Sequence, residues 1–291
     1  MPIQYGLLTK EQLRAFAPLL PDAAQAAPAE DLYAIGAAKD DRICGVLVFR
    51  ADGEHLIDIQ HIAVAEGYRR QGIAAGLLDF LCARAWETTT AVLCTFAAAG
   101  WDDSLCSLFI RRGDFTLTEA EGYICRFPCK ALSQVELSAA PPAGVRIAPF
   151  YALPEWARHR FLKEMSRDNP GFSAWLIAER EQMLRPLCLC AADSSDNIRA
   201  AVFCQGRGHD VELSFAYATP NHARSLIALV GRLRELLLGA GEHVSYLWIA
   251  AVTPQSRKLV DTLLPGREIT EKFYTACWDM TAIGGQDDVR A

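Results

Sequence analysis

Ile62-Ala63-Val64-Ala65-Glu66-Gly67-Tyr68-Arg69-Arg70-Gln71-Gly72-Ile73-Ala74-Ala75-Gly76-Leu77-Leu78 is the stretch on which the reading of this chain turns. The alternating apolar run from Leu56 to Val64 predicts a strand, and the apolar spacing that starts near Gln71 predicts a helix. Between them the key side chains of Arg69-x-x-Gly72-x-Ala74 are either basic or nearly absent. The first N–H groups of a helix have no intrahelical partner and stand at the positive end of its dipole. Small residues at 72 and 74 let a phosphate approach that backbone, and two arginines add attraction at longer range. The join reads as an anion site.

This tract, Ile62-x-Val64 followed by Tyr68-Arg69-Arg70-Gln71-Gly72-Ile73-Ala74, resembles the acyl-CoA signature of the GNAT superfamily of N-acetyltransferases, Arg or Gln-x-x-Gly-x-Gly or Ala. The resemblance implies that Arg69, Arg70, Gln71, Gly72, Ile73 and Ala74 hold the CoA pyrophosphate. It also implies that the backbone of Ile62, Ala63 and Val64 pairs with the pantetheine arm and supplies the oxyanion donor. Acetyl-CoA is then the co-substrate, and the fold is α/β with a central, mostly antiparallel sheet flanked by helices.

Composition narrows the alternatives. A chain of 291 residues that is 51% hydrophobic can bury two ordinary cores. Its net charge of −6 argues against nucleic acid and anionic membrane as partners, so the two arginines are a local basic feature. Met1 to Lys10 has no basic head before an apolar core, and no uncharged apolar run approaches a membrane span, so the expected setting is the cytoplasm. The ten cysteines lie mostly in apolar runs and none forms a Cys-x-x-Cys pair; they read as small buried hydrophobes, and no metal is expected.

In chain order, a strand at Ile3 to Leu8 precedes a helix opened by Thr9 and Gln12 at capping-box spacing and running to Leu20. The stretch Pro21 to Glu30 reads as a second helix or an acceptor-side loop. A hairpin (32–38, 43–50), the strand 56–64, the helix after Gln71, a strand at 91–96 and a helix capped by Asp102 or Asp103 follow. Phe115–Leu117 and Gly122–Phe127 read as a closing hairpin. Domain limits of 1–132 and 145–291 are drawn on either side of a Pro/Ala-rich linker at 133–144.

Direct transfer to an amine needs a proton acceptor and a fixed donor for the oxyanion. Asp58 and His61 are the candidate bases; imidazole ordinarily titrates near ~6.5, which suits the work. Residues of a strand alternate faces, so only one of the two faces the cleft unless a bulge intervenes. In the family an asparagine and then a tyrosine on the last helix serve the site, the tyrosine protonating the leaving thiolate. Here Asp103 falls at the asparagine position, as a cofactor contact, and Phe109 or Ile110 at the tyrosine position, so Tyr123 becomes the substitute acid.

The second half repeats the order of elements without repeating residues. Its strand-turn-helix join sets Tyr217 against Val64, His222 against Arg69, Ser225 against Gly72 and Ile227 against Ala74. Pro220 removes a donor and Ile227 blocks close backbone approach, so this join reads as a degenerate GNAT-like copy that packs, shapes the acceptor cleft or mediates a homodimer. The expected activity is transfer of acetyl from acetyl-CoA to a small-molecule or peptide amine. The alternatives are a non-catalytic acyl-CoA-binding regulatory module and a nucleotide-phosphate enzyme, the latter opposed by the lack of a Gly-Lys-Ser/Thr tract.

Overall fold

The computed structural model describes residues 2–20, 32–40, 42–52, 55–85, 89–168, 182–240 and 243–280. The stretch 21–30, read above as a helix or an acceptor-side loop, lies outside them. Two compact units emerge, one of Met1–Ala120 with Glu271–Ala291, the other of Glu121–Thr270.

In the first unit, β1 (Gln4–Leu7), β2 (Leu32–Lys39), β3 (Arg42–Asp52), β4 (Leu56–Val64) and β5 (Ala91–Ala98) lie side by side in that order. Only β4 and β5 run parallel. The Thr9–Gln12 capping box forms in both directions and opens α1 (Lys10–Leu13). The expected helix continues only as a 3₁₀ segment over Arg14–Leu19, which contains Pro18, a residue that cannot donate to the helical ladder. Leu13, Phe16 and Leu20 pack with Val46 and Val48 on one face of the sheet. On the other face lies α2 (Ile73–Ala85), whose Ile73, Leu77, Leu78, Leu81, Cys82 and Ala85 turn inward at helical spacing onto Leu47, Phe49, Ile57 and Ile59. Gly45 permits that contact: a Cβ there would meet Ile73 Cγ2 at 2.8 Å.

The closing hairpin is corrected. Residues Thr116–Pro128 form one continuous strand, β6, after α3 (Ser104–Arg112). The strand beside β5 is instead the last of the chain, β12 (Glu268–Asp279), antiparallel from Lys272↔Ala98 to Asp279↔Ala91. Residues Tyr123–Pro128 of β6 belong to the second unit, beside β11 (Tyr246–Ala251).

That second unit has the order β6, β11, β10 (Asp210–Ala218), β9 (Ile198–Arg207), β8 (Leu189–Asp193), β7 (Val145–Pro149), with β10 and β11 its one parallel pair among the described residues. Among the described residues its α-helices are α4 (Glu155–Asp168), α5 (Ala223–Gly239) and α6 (Pro254–Leu263). The expected α/β class, mostly antiparallel and flanked by helices, is what each unit has. The segment read as a linker is fastened to α5: Arg234 Nε and Nη2 donate to the carbonyls of Leu132 and Ser133, and Gly231 lets the Ser138 backbone lie against the helix. Nine of the ten cysteines are buried.

The β8–β9 turn is held by one carboxylate. Asp193 accepts from the N–H groups of Ser195 and Asn197, the Asn197 amide and Arg199. Burial alone would raise its pKa, but these donors, Asn197 foremost, hold it well below the usual carboxylate range. Its contribution is therefore present above the ordinary aspartate value of about 3.9 and is lost as pH falls through the depressed one. Asp193→Ala should cost about 2 kcal/mol in urea unfolding at neutral pH and progressively less in acid; an equal loss at every pH would contradict this.

Candidate active site

The geometry of the turn between β4 and α2 follows from where β4 loses its parallel neighbour. The β4–β5 pairing runs from Leu56↔Ala91 to Ile59↔Cys94 and stops, although both strands continue. On its other side β4 stays paired with β3 as far as Val64↔Gly45, but the register slips between Val48↔His61 and Phe49↔Ile59, which makes Gln60 an extra, bulged residue. Past the bulge β4 has an open edge that faces the gap left by β5.

The bulge overturns one expectation. Ile57 and Ile59 pack in the core under α2, and so do Ile62 and Val64, whereas Ala63 packs with the α1 layer. Asp58 and His61 thus share one face, the α1 face, instead of opposing ones. His61 Nε2 lies 2.8 Å from the Leu19 carbonyl. A carbonyl only accepts, so Nε2 is the donor there, and in the neutral ring Nδ1 is the nitrogen left to accept. Gln60 Nε2 donates to Asp58 Oδ2 at 2.5 Å. Burial raises the Asp58 pKa, opposed by that hydrogen bond and by Arg50.

Backbone direction sorts the strand end. The Ala65 N–H donates to the Cys44 carbonyl, toward β3, while the Val64 carbonyl accepts Arg69 Nε at 3.3 Å. Polar groups alternate along a strand, so the backbone of Ala63 is committed to β3 and the N–H groups of Ile62 and Val64 face the gap. Of the three residues assigned to pantetheine, two offer donors.

After Val64 the chain makes a short 3₁₀ turn over Glu66–Tyr68 and reaches α2 through two left-handed residues, Arg70 (φ 61°) and Gly72 (φ 79°). The Gly76 N–H takes the Gly72 carbonyl, which leaves the N–H groups of Ile73, Ala74 and Ala75 as the open end of the helix. The six residues of the tract divide by task. Ile73 is buried and offers only its backbone; Arg69 and Gln71 brace the turn through the carbonyls of Val64 and Gly67; Arg70 is exposed beside the open amides. A phosphate at this point meets backbone donors, a dipole and a cation.

Two other assignments change. Asp103 caps α3, its Oδ1 accepting from the Leu105 N–H at 2.9 Å. Tyr123 belongs to the second unit, where its hydroxyl donates to Asp261 at 2.5 Å and its pKa is pushed up to about 12 by burial and that carboxylate. Its hydroxyl proton is thus already committed to Asp261. At the expected tyrosine position Phe109 is fully buried and Ile110 is 51% exposed, and neither carries a proton. Sequence reasoning missed Gln60 and the Leu19 carbonyl. The first had a signal: apolar residues occupy odd positions at 57 and 59 but even ones at 62 and 64.

The second unit repeats this construction. Pairing of β10 with β11 ends at Leu213↔Ile249, and the next residue, Ser214, is bulged against β9. Its turn is shorter. From bulge to left-handed residue there are ten steps in the first unit (60 to 70) and seven in the second (214 to 221, Asn221 φ 68°). The position-by-position alignment of the two joins given above therefore does not hold through the turn. The Ser225 N–H is already taken by the His222 carbonyl.

Among the described residues, no helix is long and apolar enough to cross a membrane, and no group of His, Cys, Asp and Glu converges as metal ligands.

Comparison with known proteins bears on the whole chain. Residues 5–100 match the Acetyltransferase (GNAT) family. A tandem GNAT protein from the clavulanic acid biosynthesis pathway superposes with a TM-score of 0.62 at 13% identity, over 96% of this chain and 99% of that one. A GCN5-related N-acetyltransferase from Sphaerobacter thermophilus gives 0.54 at 12% identity, over 96% of each chain. A probable N-acyltransferase from Enterococcus faecalis V583 gives 0.53 at 13% identity, over 95% of this chain and 72% of that one. No curated protein matches the chain.

Proposed function

We propose that this chain, whose residues 5–100 are an acetyltransferase domain of the GNAT family and whose fold is that of a tandem GNAT protein, transfers an acetyl group directly from acetyl-CoA to an amine. One observation carries the reading: β4 parts from β5 after Ile59↔Cys94 and ends on an open helix N-terminus reached through Arg70 and Gly72. That places two kinds of donor in series. The amides of 73–75 suit the diphosphate, and the N–H groups of Ile62 and Val64 suit the pantetheine amide and the oxyanion.

His61 Nδ1 accepts the ammonium proton, because the Leu19 carbonyl occupies the other ring nitrogen. Asp58, on the same face, attracts the cationic amine before it is deprotonated. With no hydroxyl at Phe109 or Ile110, the thiolate leaves without a side-chain acid, which a thiol of ordinary pKa about 8.5 permits. That same absence favours the second reading, an acyl-CoA-binding regulatory module without turnover.

Measuring CoA release over a panel of small and peptidyl amines separates the two: uptake of acetyl-CoA with no turnover on any amine supports the regulatory module. On an active amine, His61→Ala should lower kcat by about 100-fold. Asp58→Asn should act on KM instead. Its carboxylate forms above the ordinary aspartate range because its pKa is raised, so the wild-type KM falls as pH climbs through that region. If both variants behave as wild type, neither residue serves the amine.

A further inference from the structure

The second unit contains a cavity of about 330 Å³ at the place where β10 and β11 part. Protein interiors are close-packed and hold few voids larger than a water molecule, whereas small-molecule sites begin at about 300 Å³ and are mostly apolar with few polar groups. This one fits the second description. Leu213 and Leu247 line it from the parting strands, Val230 and Leu233 from α5, Leu259 and Leu263 from α6, and Leu132 and Leu137 from the segment strapped across α5.

Among the lining residues one carries a charge. Arg234 holds the strap through Nε (2.7 Å to the Leu132 carbonyl) and Nη2 (3.2 Å to the Ser133 carbonyl), and among the described residues Nη1 has no partner. The short turn before α5 has its Ser225 N–H closed off by His222 and has no second left-handed residue corresponding to Gly72. A diphosphate therefore has no cradle beside this cavity, but a single carboxylate has a guanidinium N–H at its wall.

We propose that the second unit binds an aliphatic chain ending in a free carboxylate, a medium-chain fatty acid in chemical class, with the chain among the leucines and the carboxylate on Arg234 Nη1. The site is separate from the acetyl-CoA turn, and the proposal does not rest on the activity assigned to the first unit.

The test is calorimetric titration of the full-length protein with decanoate, decanol and decanoyl-CoA. Decanoate should bind more tightly than decanol. Val230→Phe, which fills the cavity, should weaken it about tenfold or more. Leu259→Phe does the same from α6, so a folding failure of one variant, seen by far-UV circular dichroism, leaves the other. Arg234→Gln should remove the preference for decanoate over decanol and Arg234→Lys should retain it, a ratio that loss of the strap alone would not change. Absence of decanoate binding to the folded wild type, or binding unaffected by both filling variants, overturns the site. Equal binding of decanol and decanoate overturns the carboxylate assignment. Binding of decanoyl-CoA alone overturns the choice of a free acid.

Discussion

Gly72→Val is expected to weaken acetyl-CoA binding by about 100-fold, roughly 3 kcal/mol, while leaving the far-UV circular dichroism of the protein unchanged. The cause is conformational. A Cβ at position 72 would meet nothing within 4 Å, so the valine has room; what it lacks is access to φ 79°, a region that β-branched residues almost never occupy. The turn must relax to a negative φ, and the N–H groups of Ile73 and Ala74 then turn away from the diphosphate. Arg70 supplies the control. It holds φ 61° against its own preference, so Arg70→Gly keeps the backbone and removes one exposed charge. Exposed pairs contribute about 0–1 kcal/mol, so that variant should lose no more than about fivefold and should regain less in low salt than a purely electrostatic site would. Calorimetry with acetyl-CoA on the two variants decides whether amides or charge dominate. A larger loss from Arg70→Gly than from Gly72→Val would mean that the tract works as a basic patch, and the assignment of the open helix end would fail.

The turn between β4 and α2 was legible because its information is local. A helix N-terminus, two small residues and two arginines within six positions leave little choice of geometry, and the elements up to α3 lie close to where the periodicity puts them. The bulge at Gln60 was legible in principle, since the apolar phase changes across it, and reading it would have put Asp58 and His61 on one face. The bulge at Ser214 left no such trace. Val211, Leu213, Phe215 and Tyr217 alternate without a break, yet the first two pack in one core and the last two in another. Strand partnership was the least legible of all. Nothing in the pattern of 116–128 or 268–279 says which neighbour either will take, because both have the apolar alternation that any antiparallel position accepts. A sequence reader therefore closes the first domain with the nearest strand, and the chain closes it with the last one.

The consequence is a second large effect. A fragment ending at residue 132, the natural place to cut from composition, is expected to be unfolded and to take up no acetyl-CoA. It lacks the strand that pairs with all of β5, from Lys272↔Ala98 to Asp279↔Ala91, and β5 is one wall of the gap that opens beside β4 after Ile59↔Cys94. It also lacks Tyr274, Ala276 and Trp278, which are 1%, 0% and 7% exposed in the cores around Phe109, Cys106 and Val92. An aromatic side chain takes roughly 150–250 Å² out of water, worth roughly 4–6 kcal/mol at about 25 cal/mol/Å². Two of them approach the whole stability of a typical domain, about 5–15 kcal/mol. The bare edge of β5 would in addition be an open template for aggregation. Fusing residues 268–291 behind residue 132 through a flexible linker restores the missing strand, and this fragment should recover a cooperative thermal transition and acetyl-CoA uptake. Trp278→Ala in the full chain should fall between the two, losing about 3–5 kcal/mol in denaturant unfolding. If the 1–132 fragment melts cooperatively and binds acetyl-CoA by itself, β12 is an accessory to the first unit's fold, and the hairpin that the sequence suggested is reachable after all.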